Sequence, residues 1–168
     1  EAFNRKFVDE NSIRLYMVSN PKKITVKNLS ITTVEVSNHP VKEMGKRKID
    51  VDGNFYISGE DAQSIKEGEQ IRLLGLGNIL ITKQGEEIEG EYVKDGDIKS
   101  IPKIQWVSQK TAHKIKMIIP KILFIGEDFN EDSLEEMDVY CEPHYLQLKD
   151  GEEIQFIRFG YCRKDSQN

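Results

Sequence analysis

The stretch 71–93, Ile-Arg-Leu-Leu-Gly-Leu-Gly-Asn-Ile-Leu-Ile-Thr-Lys-Gln-Gly-Glu-Glu-Ile-Glu-Gly-Glu-Tyr-Val, decides the fold class. Gly75 to Asn78 and Gln84-Gly85-Glu86 cut it into short runs over 70–74, 78–83 and 87–93, rich in β-branched and apolar residues. The same texture extends in both directions. Ile24-Thr25-Val26-Lys27 and Ile31-Thr32-Thr33-Val34-Glu35-Val36 alternate as half-buried strands do. Further strands are expected over 48–52, 54–57, 103–107, 114–119 and 153–159, with a turn at Asp95-Gly96-Asp97. Asp52-Gly53 reads as a tight hairpin, because glycine adopts positive φ without a steric cost. One short helix is expected after Ser58, with Asp61 placed as the acidic partner of a capping box ahead of Ala62 and Ile65. The acidic stretch 127–138 reads as a loop or frayed helix. Ten or so short strands at this spacing predict an all-β chain of two small antiparallel β-barrels with one short helix. Their soft boundary falls at 99–104, where Pro102 follows an acidic block and a basic one begins.

The chain has 168 residues, 38% hydrophobic and 32% charged, enough for one domain or two small ones. No apolar run approaches the ~18 residues needed to span a bilayer. The start, Glu-Ala-Phe-Asn-Arg-Lys, has no initiator Met and no signal pattern, and reads as the beginning of a fragment or processed chain. Two cysteines, Cys141 and Cys162, argue against a disulfide scaffold and favour a reducing compartment.

The net charge of −5 speaks against nucleic acid until its layout is read. Residues 14–48 hold eight bases against Glu35 and Glu43, a balance of +6; 49–98 carry −8, 99–121 carry +6, 126–153 carry −10, and the last fifteen residues +2. Such blocks fit either a solvated surface or segregated faces, one of which meets phosphates.

Catalytic signatures are missing. Cys141 and His144 have two-ligand spacing, but only the lone Cys162 lies nearby, so the pair reads as a buried thiol and an exposed imidazole. There is no phosphate-loop motif and no nucleophile elbow. Gly75-Leu76-Gly77 has no third glycine and no βαβ context, so it reads as a turn. No catalytic residue and no metal site is assigned.

Five motifs in order carry a resemblance. They are "FNRKFVD" leading into "IRLYMVSNPKKITVKN", then "NHPVKEMGKRKI", "IRLLGLGNILIT", "KIQWVS" and "IQFIRFGYCRKD". Together they resemble the C-terminal anticodon-binding region of the glutamyl- and glutaminyl-tRNA synthetases of archaeal and eukaryotic type, within class I. "LLGLGN" is more similar to the archaeal glutamyl branch. The resemblance implies a leader over 1–12 from a missing catalytic part, a first barrel over 13–102 shaped like ribosomal protein L25, and a second over 103–168. Strands exchanged between the two barrels are left open. It also implies a Rossmann-type catalytic domain in the same polypeptide, with ATP and magnesium used there and no cofactor here. His-Ile-Gly-His-like and Lys-Met-Ser-Lys-Ser-like signatures do not occur in this sequence. This chain would therefore be inactive alone. The implied partner is glutamate tRNA, with glutamine tRNA left open, in the cytoplasm and away from membranes. Alternatives are the glutaminyl counterpart, a free-standing L25-like RNA-binding barrel, and a protein-interaction barrel whose acidic segment meets a basic partner.

Sequence-specific readers of single-stranded RNA splay bases out, stack them, and hydrogen-bond their edges with planar donors and two-way amides. By similarity Arg14, Arg72, Gln155 and Arg158 contact anticodon bases, while Lys22, Lys23, Lys46, Arg47 and Lys48 are phosphate contacts. Arg72 read by periodicity alone is an outward strand residue. Gln155 and Arg158 stand three apart, on opposite faces of a regular strand, so both meet one loop only if the strand bends or ends there. Trp106, Phe159 and Tyr161 read as barrel packing. Where the family has Glu before this arginine the chain has Ile157, which removes whatever partner that Glu supplied to Arg158. One base-contacting Arg of the glutaminyl enzymes has no counterpart, leaving the third anticodon base unassigned.

Overall fold

Alternating burial sets most of the strands. The computed structural model describes residues 8–94 and 100–165. Residues 3–7 of the first motif and the expected turn at 95–97 lie outside them. In chain order the described residues form β1 (Ile13–Leu15), β2 (Met17–Ser19), β3 (Lys22–Lys27), β4 (Thr33–Ser37), β5 (Lys46–Asp50) and β6 (Asn54–Ile57). Helix α1 (Gly59–Ser64) follows, then β7 (Gln70–Leu73), β8 (Gly77–Lys83), β9 (Ile88–Val93), β10 (Lys103–Ile104) and β11 (Val107–Ser108). The rest comprises β12 (His113–Pro120), β13 (Phe124–Ile125), β14 (Asp128–Phe129), β15 (Leu134–Cys141), a 3-10 turn (Pro143–Gln147), β16 (Glu153–Phe156) and β17 (Gly160–Arg163). Between Asp9 and Asp165 the described residues are all-β with one short α-helix, as the periodicity predicts.

The largest sheet has seven strands in the order β10-β7-β8-β9-β3-β6-β11. Its two edge strands are consecutive pieces of one segment, separated only by Gln105 and Trp106. That segment therefore reaches from one end of the sheet to the other and curls it around a core of Ile24, Phe55, Ile71, Leu73, Ile79 and Trp106. The expected single strand over 103–107 is broken because Trp106 turns fully inward, where its Nε1–H donates to the Leu74 carbonyl at 2.9 Å. The β7–β8 turn forms as predicted: Leu73 pairs with Gly77, and Gly75 takes φ +77°, a left-handed conformation that glycine enters freely.

A second core of Leu15, Met17, Val139, Cys141, Ile154 and Phe156 lies between the sheets β12-β15-β2 and β1-β16-β17. Strands cross the 102/103 boundary in both directions: β1 and β2 complete the C-terminal sheets, and β10 and β11 complete the N-terminal one.

Three expectations are corrected. Antiparallel pairing is not universal, since β1·β16, β3·β9 and β10·β7 are parallel; parallel neighbours are distant in sequence and leave no local turn signature. Asp52-Gly53 does not close a hairpin. β5 pairs with β4 and β6 with β3, so the dipeptide is a bend between sheets, with Gly53 at φ +90° and its carbonyl accepting from Val26 N–H at 2.7 Å. Finally, 127–138 is neither loop nor helix throughout. It contains β14 and most of the rungs by which β15 pairs with β12, and Lys114–Asp138 (2.6 Å), Lys116–Glu136 (2.7 Å) and Lys121–Glu135 (2.7 Å) bridge those strands. Opposite charges across a strand pair stabilise it. Three lysines of the basic block 99–121 and three acids of the block after it are thus partners in one hairpin, which ends in the exposed apolar tip of Ile122, Phe124, Ile125 and Phe129.

Candidate nucleic-acid interface

Parallel pairing of β1 with β16, and antiparallel pairing of β16 with β17, put Arg14, Gln155 and Tyr161 in one transverse row. Registered neighbours share a face, and the flanking residues Leu15, Ile154 and Phe156 are buried in the second core. The row therefore faces away from that core. Asp9 organises it: one carboxylate oxygen accepts from Arg14 Nη2 at 2.9 Å and from the Tyr161 hydroxyl at 2.8 Å. The Tyr161 hydrogen bond, then that of Arg14, holds the Asp9 carboxyl below its usual range.

The backbone of Asp9 is anchored too. His39 Nδ1 accepts from the amides of Val41 and Lys42, which puts the ring hydrogen on Nε2, and Nε2 donates to the Asp9 carbonyl at 3.2 Å. Two polar atoms of the row, Arg14 Nε and Gln155 Oε1, are buried without a hydrogen-bond partner. Such atoms are costly to leave unpaired and are common where a ligand or rearrangement completes the bonding.

The strand carrying Gln155 ends at Phe156. A turn follows, in which Phe159 N–H donates to the Phe156 carbonyl at 3.0 Å and Arg158 takes φ 66°. This break removes the three-residue problem: Gln155 is presented by the strand and Arg158 by the turn. Ile157 packs against the first core, and its amide donates to the Leu15 carbonyl at 3.1 Å. Arg158 Nη1 donates to both oxygens of Asp61 at 2.8 Å, while its side chain stays 48% exposed. The arginine thus has a carboxylate partner after all, supplied by α1 of the other unit.

Arg72 stands elsewhere. It projects from β7 between the buried Ile71 and Leu73, and its Nη1 donates to Asn78 Oδ1 at 2.7 Å on the neighbouring strand. It belongs to the seven-stranded sheet and not to the Arg14–Gln155 sheet.

The five phosphate candidates separate by strand parity. Lys46 and Lys48 face solvent from β5, with Lys46 bridged to Glu35 at 2.7 Å. Arg47, between them, points inward and is 3% exposed. Its guanidinium is held by Glu142, the Ser37 carbonyl and Asn38 Oδ1, and lies over the Tyr16 ring. Arg47 is therefore withdrawn from the phosphate set, because alternation cannot aim three successive side chains the same way. Lys22 and Lys23 are exposed at the start of β3, and Lys22 lines a small cleft of about 270 Å³ with Gly59 and Ala62 of α1.

Reasoning from sequence alone missed several neighbours of the site. Phe159 is 40% exposed and Tyr161 lies in the outward row, so neither is core packing. Tyr161 was within reach of sequence, since a three-residue turn after Phe156 pairs it with Gln155. Trp106, read as core, is core. Cys141 is fully buried in β15 and His144 sits on the 3-10 turn; among the described residues no group of three His, Cys, Asp or Glu is arranged to hold a metal ion.

A strand-built face of planar donors, an amide and aromatic rings is the equipment of an RNA-loop reader. Two family models match the chain, both described as tRNA synthetases class I (E and Q), anti-codon binding domain, over residues 12–100 and 103–165. The chain belongs to this family of anticodon-binding domains. It is 70% identical over its whole length to the glutamate--tRNA ligase of Nitrosopumilus maritimus (strain SCM1) and 46% identical to that of Cenarchaeum symbiosum (strain A), covering 30% of each. The glutamate--tRNA ligase of Methanocaldococcus jannaschii is 27% identical over 99% of the chain, which covers 28% of that protein. The chain thus spans less than a third of these curated relatives.

Proposed function

We propose that the chain is the anticodon-binding portion of a glutamate--tRNA ligase, and that Arg14, Gln155 and Arg158 contact anticodon bases. The observation that carries this reading is the juxtaposition of the Arg14–Gln155–Tyr161 row with the Arg158 turn. Arg14 offers donors, Gln155 a two-way amide, and the exposed Phe159 ring a surface on which a splayed base can stack. Arg72, paired with Asn78, would contact a base from the seven-stranded sheet. Lys22, Lys23, Lys46 and Lys48 would hold the phosphates, positioning the loop without reading it. The catalytic part of the same polypeptide would supply ATP and magnesium chemistry, and no residue here is assigned to it. Glutamate tRNA is the proposed partner, supported by the names of the relatives, and the cytoplasm is the proposed place of their encounter.

Titration against glutamate tRNA, and against the same RNA with the middle anticodon base changed, tests the reading. Binding weakens as salt rises and weakens further for the changed RNA. Equal affinity for both RNAs at every salt concentration contradicts base readout.

A further inference from the structure

We propose that Asp61 is a positioning residue for Arg158, so that α1 of the first unit sets how the turn of the second reads the anticodon. The inference rests on Arg158 being a base reader. The two residues lie 97 positions apart, and both Asp61 oxygens accept from the same nitrogen, Arg158 Nη1, at 2.8 Å. That leaves Nε and Nη2, the edge suited to bidentate recognition of a base, unengaged by any hydrogen bond among the described residues.

Asp61 is suited to hold rather than to touch RNA. It is 6% exposed, its amide donates to Ser58 Oγ at 3.2 Å, and its Oδ2 accepts from the Ser58 hydroxyl at 2.8 Å. The carboxylate that holds Arg158 is thus itself fixed by Ser58, whose hydroxyl oxygen caps the helix. Arg158 is held in turn at the backbone: it adopts φ 66°, sparsely populated by non-glycine residues, while Ile157 beside it packs on the first core. An apolar Ile157 anchors the turn to the first unit at the position where the family motif carries Glu. The paired guanidinium is formally neutralised, so it attracts phosphate less and keeps its directional donors, which favours reading a base over binding backbone.

The test uses the full chain and an anticodon stem-loop of glutamate tRNA, with three further stem-loops each changed at one anticodon base. The discrimination ratio is the Kd for a changed loop over that for the unchanged one. Asp61→Asn preserves the shape, the backbone amide capped by Ser58 and an acceptor for the Ser58 hydroxyl, but removes the charge. It is expected to lower the largest ratio roughly fivefold, within the range of coupling between contacting residues. Arg158→Ala abolishes the same ratio, and adding Asp61→Asn to it lowers the ratio no further, because Asp61 acts only through Arg158. Ile65→Val, in the neighbouring core, lowers the melting temperature and leaves the ratio intact. If Arg158→Ala leaves all three ratios unchanged, the reader assignment fails and this inference with it. If Arg158→Ala abolishes the ratio while Asp61→Asn retains it, only the positioning role is overturned. Equal loss in Ile65→Val likewise overturns it, by showing that general loosening suffices.

Discussion

Arg47 and Glu142, 95 residues apart in sequence, form an ion pair with both side chains 1% exposed, joining β5 to the end of β15. Glu142 also accepts from the Tyr16 amide, and Arg47 from its other side donates to the Ser37 carbonyl, so the network is shared by strands of both units. Removing one partner of such a pair leaves an uncompensated buried charge and costs about 3–5 kcal/mol. Arg47→Met is therefore expected to lower the unfolding free energy read from urea titration by that amount, while the salt dependence of RNA binding stays as it is. A slope reduced by about one unit would instead restore Arg47 as a phosphate contact.

Lys23 and Arg158 separate positioning from reading. Lys23 is exposed, with only a 3.9 Å approach to Glu87. Lys23→Ala should weaken binding to all RNAs alike and reduce the salt slope by about one. Arg158→Ala should instead erase the preference for the correct loop, at a scale of about 1–3 kcal/mol per bidentate base contact. Parallel titrations of the two variants distinguish these outcomes.

Asp9 links stability to pH. Its folded carboxyl lies below the usual value of 3.8, through hydrogen bonds from Tyr161 and then Arg14. A lowered carboxyl pKa contributes stability that is complete above the unfolded value and is lost as pH falls through the folded one. The melting-temperature advantage of the unsubstituted chain over Asp9→Asn should therefore be full at pH 7 and fade only below about pH 3.8. An advantage independent of pH down to 2 contradicts the ionised Asp9 bridge.

Burial makes both thiols reluctant nucleophiles. It pushes Cys141 up to about 12 and Cys162 up to about 11. Since the thiolate is the reactive form, iodoacetamide at pH 8 should leave both unmodified in the folded chain and alkylate both in urea, read by intact mass.

The strands were legible where period-two alternation met a local turn. Asn54–Ile57 and the β7–β8–β9 run are such cases, as is the helix begun by Ser58. The misses share a cause: their determinants are distant in sequence. The acids of β15 look like a loop until Lys114 and Lys116 are placed opposite them. Asp61 already had a local use beside the Ser58 cap, which concealed its bond to Arg158. Arg47 sits in a basic run whose parity alone turns it inward, and only the position of Glu142 explains why a charge is tolerated there. For the interface, similarity of motif indicated the candidate residue types, and strand register supplied what motif order could not: that Arg14 and Gln155 are neighbours.

The most direct test of the central claim is an NMR titration of the labelled chain with the glutamate tRNA anticodon stem-loop, following arginine Nε–H and glutamine amide side-chain signals. The proposed interface predicts the largest shifts at Arg14, Gln155 and Arg158, and none at Arg47, whose guanidinium is buried. Shifts confined to the exposed lysines, with those three side chains unmoved, would contradict it.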